Sequence, residues 1–162
     1  MWTDNVICLP EWEQLPDIGL YMDQIMTLMD RVFAVKFPKG ELTKAMINNY
    51  VKAGLLPRPS GKKYEREHLA RILMIYILKQ SLNMEGIGTI LNMLCRDGAQ
   101  AGYGRFRSLL EELENVLAQG KVEMDWTADS REEMTLRLGL VGALCTIRTY
   151  WILPKPGEKQ QS

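Results

Sequence analysis

Few residues in this chain announce a chemistry. It has one histidine, His68, and three cysteines, Cys8, Cys95 and Cys145, among 162 residues. The cysteines lie far apart and none belongs to a CxxC pair. They read as free thiols of a reducing compartment, so a cytoplasmic location is expected. Without paired cysteines or a second histidine, no metal site is expected. HExxH, a glycine-rich phosphate loop and a GxSxG elbow are all missing. The chain is therefore read as not an enzyme, with no catalytic residue and no cofactor. His68 falls at the start of a helical pattern, where a surface or capping role is expected.

Long apolar runs are missing too. The longest, "LGLVGALC" from Leu138 to Cys145, is flanked by Arg137 and Arg148. It is too short to cross a bilayer, so a buried helix and no membrane partner are expected. No N-terminal stretch joins a basic end to an apolar core, and no signal peptide is expected. Strand patterns are scarce, and repeats are not seen.

The composition is 46% hydrophobic and 25% charged, ordinary for a folded globular chain. Residues 1–16 carry Trp2, Trp12, Pro10 and Pro16 without periodicity, as an irregular arm packing its tryptophans on the body. Asp17 is the expected N-cap of a first helix over 18–34, with Met22, Ile25, Met26 and Met29 at core spacing. Thr43 opens a short helix over 44–53, which Gly54 ends. A long helix starts near Glu65 or Arg66, and Asn83 opens another. "RDGAQAGYG", from Arg96, reads as a linker, and so does "GYGRF". Two further helices are expected over 104–119 and 130–152, with Ser130 and Glu133 as a capping box. Glu111, Glu112 and Glu114 read as a solvated face. Gly139 and Ala143 are spaced for close helix approach. Residues 154–162 form a polar tail, expected to be flexible. The fold class is mainly all-α.

A net charge of zero conceals a division. Residues 1–35 carry one arginine against six acids, residues 36–79 ten basic side chains against three acids, and residues 80–162 nine against eleven. A basic block within a neutral chain suggests a local contact with a polyanion. In helical projection Lys44, Asn48 and Lys52 share one face, with Asn49 beside them and Met46, Ile47, Tyr50 and Val51 opposite. Amides pair with adenine edges, and lysines reach guanine acceptors or phosphates. The following loop adds Arg58, Lys62 and Lys63 around Ser60-Gly61, and the Tyr64 hydroxyl is a further phosphate donor. Exposed lysines are more often plain solvated surface. The order of short helix, basic loop and long helix favours the nucleic-acid reading.

"YVKAGLLP", from Tyr50 to Pro57, and "KKY", from Lys62 to Tyr64, resemble the winged helix-turn-helix of MerR-type transcription regulators over residues 40–95. Tyr50 matches that family's recognition-helix tyrosine, Lys62 its wing arginine and Tyr64 its wing tyrosine. Asn48 stands where the family usually has an arginine, and the linker before the short helix is longer than its tight turn. The span from "PDIGLYMDQIM" through "KKYEREHLARILMIYILKQ" is also similar to a bacterial family known only as domain of unknown function 1836, up to about residue 150. The resemblance implies a MerR-like domain over 17–96 with a small β-wing, a C-terminal helical region over 97–153 for packing or dimerisation, and no stated activity. A DNA-binding transcription regulator is expected, as a homodimer on double-stranded DNA; no small-molecule effector can be named. The alternative is a helical protein-interaction module that kept this fold without binding DNA.

Overall fold

The computed structural model describes residues 6–33, 37–120 and 127–152. Trp2 and the tail over 154–162 lie outside them. Among the described residues the chain is mainly helical. Its six α-helices are α1 (Met22–Val32), α2 (Lys44–Lys52), α3 (Arg66–Leu78), α4 (Met84–Leu94), α5 (Ala99–Ala118) and α6 (Arg131–Ile152). Strand pairing among these residues is limited to two isolated antiparallel bridges, Leu20 with Tyr64 and Ser60 with Lys63. None of the described helices is long and apolar enough to cross a membrane.

The centre is α3. Every residue from His68 to Leu78 except Arg71 is buried. A helix buried on all sides needs neighbours all round. Helices α4, α5 and α6 supply them, and one hydrophobic cluster runs from Ile7 to Ile147. Gly139 of α6 lies against Leu78, Leu82 and Ile90, and its carbonyl accepts from the Ser81 hydroxyl at 2.9 Å. The close approach expected at Gly139 is thus made onto the end of α3, the turn after it and α4.

Three local readings are corrected. Helix α1 begins after Tyr21, not Asp17, because Tyr21 is extended and Leu20 pairs with Tyr64. The linker read in "RDGAQAGYG" is mostly the first turns of α5. Gly102 explains this: a Cβ there would lie 2.5 Å from the Leu94 carbonyl oxygen. The glycine that reads locally as a breaker lets α5 start hard against the end of α4. The Arg105 guanidinium caps the same carbonyl at 2.5 Å.

The third correction is Glu114, which is buried, not solvated. One carboxylate oxygen accepts from the Ile7 amide at 3.0 Å and the other from the Arg148 guanidinium. Arg137, also buried, pairs with Glu112 at 2.6 Å. Two arginines of α6 are thus held by carboxylates of α5. The N-terminal segment is fastened to the same helix. The Tyr103 hydroxyl donates to Pro10 and Arg107 donates to Leu9, at 2.8 and 2.9 Å. Trp12 packs on the body as expected, with its ring 6.2 Å from that of Tyr103. The three cysteines are free.

Candidate nucleic-acid interface

Helix α2 is set by its own ends. The Thr43 hydroxyl accepts from the Met46 amide at 3.2 Å, satisfying one orphan donor of the first turn. At the far end Gly54 takes φ +75°, which only glycine adopts without strain. The Gly54 amide then reaches Val51 and the Leu55 amide reaches Tyr50, at 3.1 and 2.9 Å. This is a Schellman closure, and it turns Leu55 and Leu56 into the core. Ile47 and Tyr50 are buried beneath the helix, while Lys44, Asn48, Asn49 and Lys52 are exposed.

The segment before α2 is held to α3. The rings of Phe33, Phe37 and Tyr76 pack with centroids 4.9–5.1 Å apart. The Tyr76 hydroxyl donates to the Gly40 carbonyl at 3.0 Å. The Lys39 amide donates to Gln80 at 3.2 Å. The linker longer than a tight turn is therefore anchored where it enters α2.

After α2, Arg58, Lys62 and Lys63 are exposed. The Lys63 amide closes a tight turn onto the Ser60 carbonyl at 3.0 Å. Tyr64 and Leu20 exchange both backbone hydrogen bonds, each 2.9 Å, which pins the turn to the segment entering α1. The Tyr64 side chain is buried and packs edge-on to His68, and burial raises its phenol above the ordinary value. His68 caps α3, its Nδ1 accepting from the Glu65 amide at 2.9 Å. The capping role holds, but the residue is buried, not superficial.

Two residues outside the expected site join its parts. Lys44 forms an ion pair with Asp23, and the Lys63 ammonium lies 5.5 Å from the centre of the Tyr21 ring. Tyr21 is the N-cap of α1 and Asp23 lies in its first turn. The start of α2 and the basic turn therefore meet over one end of α1. Sequence reasoning placed Tyr21 and Asp23 only inside a helix. Acids upstream of a basic block were the one available signal. Among the described residues, no carboxylate pairs with Lys52, Arg58 or Lys62, and no cluster of three or more metal-ligating side chains occurs.

Tyr50 is the support beneath this surface. It is 3% exposed, and among the described residues its buried hydroxyl has no partner. Burial, then the neighbouring Tyr76, pushes its phenol up to about 12. An unfolded tyrosine ionises near 10, so the folded state keeps a proton that the unfolded chain loses. Stability is then full below pH 10 and falls by about 2.7 kcal/mol as pH rises toward 12. Tyr50→Phe is expected to flatten this alkaline loss. At neutral pH it should gain about 1 kcal/mol by removing an unsatisfied hydroxyl. Urea midpoints between neutral and alkaline pH test both. A variant as alkali-sensitive as the parent would refute the assignment.

These features define a helical protein with an exposed, amide- and lysine-bearing helix face beside a basic turn. The chain belongs to the family described as a domain of unknown function (DUF1836), whose model matches residues 10–109. The match covers α1 to α4 and ends within α5, short of the residue 150 expected from the resemblance. Among curated proteins and among solved structures, none matches this sequence.

Proposed function

We propose that this protein is a sequence-specific DNA-binding transcription regulator with a MerR-like helix-turn-helix. Helices α1 and α2 form the motif, α2 enters the major groove, and the 57–64 turn serves as a reduced wing. The observation that carries the reading is the joint placement of the α2 start and the basic turn over the N-terminal end of α1. Asn48, Asn49 and Lys52 supply groups suited to base edges. Arg58, Lys62 and Lys63 supply phosphate contacts, and Tyr64 acts chiefly by holding the turn. Neutralising about three to five phosphates per subunit gives a salt slope of about −0.9 for each. Fluorescence anisotropy with duplex DNA at two salt concentrations tests this. Tight, salt-sensitive binding is expected, and weak binding indifferent to salt would refute it.

The ion pair of Lys44 with Asp23 favours a second reading. A lysine already neutralised contributes less to a phosphate contact, and Asn48 stands in place of the MerR-type arginine. Under this reading the α2 face binds an acidic protein surface, and DNA affinity is weak at both salt concentrations.

A regulator of this kind uses two half-sites, which calls for a dimer. Helix α6 has a face suited to one. Leu138 and Ile152 are 52% and 61% exposed, and Cys145 is exposed on the same side, with Val141 half-buried between them and Met134 half-buried one turn before. Their spacing of three, four and seven residues is that of a helix-pairing seam. Light scattering should show a homodimer, and Leu138→Lys should shift it to monomer with helicity retained. A monomeric parent would remove the dimer from the proposal.

A further inference from the structure

The exposed strip of α2 runs between two flanks. At 3.6 residues per turn Met46 lies roughly 200° round the helix from Lys44. The two therefore border opposite sides of the strip that carries Asn48, Asn49 and Lys52. Lys44 borders α1, through Asp23. Met46 borders the end of α3, where the Lys79 ammonium donates to its sulfur at 3.6 Å.

Lys39 arrives at the same flank. Its amide donates to Gln80, the neighbour of Lys79, at 3.2 Å, and its side chain is exposed. Burial of the half-buried Lys79, then the charge of Lys39, holds the Lys79 amine below its ordinary value. Among the described residues neither lysine forms an ion pair with a carboxylate. The acids of this region are Glu41 and Asp30. After burial they raise the Tyr76 phenol, but neither bears on Lys79. An ammonium has three donors, and a thioether is a weak acceptor. Water serves the remaining donors, but two neighbouring cations repel, and an anion shared between them removes that cost.

The fold selects the anion. The major groove is about 12 Å wide, close to the diameter of a helix with its side chains. A helix seated there meets a phosphate backbone along each edge. Lys63 stands on the α1 side, over Tyr21, and Lys39 and Lys79 stand on the other. Cations on both flanks of one exposed strip match two parallel rows of phosphates better than a single acidic protein patch. Resting on the DNA-binding reading, we infer that Lys39 and Lys79 hold phosphates of the strand away from the basic turn, so that α2 is gripped from both edges of the groove.

The test uses the intact protein and a short duplex that it selects from a random pool. Anisotropy gives affinity and salt slope, and the duplex is remade with single uncharged methylphosphonate links along both strands. Lys39→Gln combined with Lys79→Met removes both charges and keeps a flexible stem against Met46. It should weaken binding on the order of thirtyfold at moderate salt and cut the slope by about 1.8, the share of two phosphates. The parent should be sensitive to methylphosphonate at two groups of phosphates, one on each edge of a single major groove. The Lys39 and Lys79 variant should lose the sensitivity at one edge, and Lys62→Gln with Lys63→Gln at the other. A melting curve checks the fold. If the double variant unfolds, Lys39→Gln alone should still cut the slope by about 0.9. Unchanged affinity and slope, beside a parent that binds with strong salt dependence, would overturn this grip and leave the DNA reading standing. Loss of sensitivity at the same edge for both double variants would do the same. A parent that binds no duplex would overturn both. Polyglutamate bound more tightly than the duplex, and released by the Lys39 and Lys79 changes, would assign the pair to an acidic protein and overturn the phosphate contact.

Discussion

Glu114→Ala is expected to destabilise the protein by about 3–5 kcal/mol, because it strands a buried arginine without its counter-charge. That is a large share of the about 5–15 kcal/mol that holds an ordinary domain folded. Glu114 and Arg148 are both buried, and among the described residues Nη2 is the only guanidinium nitrogen of Arg148 to find an acceptor. The same carboxylate accepts from the Ile7 amide, so its loss also frees the N-terminal segment. Urea denaturation measures the first effect and hydrogen exchange at Ile7 the second. The pair itself is not expected to contribute much beyond an apolar substitute. Glu114→Met combined with Arg148→Met should recover most of the lost stability, since two apolar side chains of similar length fill the space without burying charge. A loss below about 1 kcal/mol for Glu114→Ala would mean that water reaches the pair and that its charges are screened.

The second large effect concerns DNA. Lys62→Glu together with Lys63→Glu should lower duplex affinity on the order of a hundredfold at moderate salt and reduce the salt slope by about 1.8, the share of two phosphate contacts. Folding should survive, because both side chains are exposed. Lys63 gives up only an exposed contact with the Tyr21 ring, about 0.5–1 kcal/mol. Circular dichroism and a melting curve separate loss of contact from loss of fold. Full retention of affinity by a folded double variant would remove the turn from the interface and leave the protein-interaction reading in better standing.

The two expectations draw on different layers of information. Helix α2 was legible residue by residue. Thr43, Gly54 and the apolar positions between them act within one or two turns, and the cap and the Schellman closure need nothing from elsewhere in the chain. The outward set of Lys44, Asn48, Asn49 and Lys52 follows from helical periodicity alone. Glu114 was legible in part. It lies four residues after Leu110, on the flank of the α5 apolar stripe, and a lone acid there signals a buried partner. Reading it with Glu111 and Glu112 as one acidic surface hid that signal.

The start of α5 could not be read locally. The glycines in "RDGAQAGYG" lower helix propensity, and what offsets this is the packing of Gly102 on the end of α4. The burial of α3 on all sides was there to be read, since Arg71 is the one polar residue between Leu69 and Leu78.

By itself the sequence determined the caps, the helix periods and the concentration of positive charge between residues 36 and 79, because these depend on neighbours a few positions apart. Only the tertiary structure decided which charges are neutralised and which stay open to a partner. Lys44 is tied to Asp23 and Glu114 to Arg148, while Lys52, Arg58 and Lys62 keep no carboxylate partner among the described residues. The reason is distance along the chain. The Ile7 amide and Glu114 are separated by 107 positions, and whether they meet depends on the packing of every helix between them.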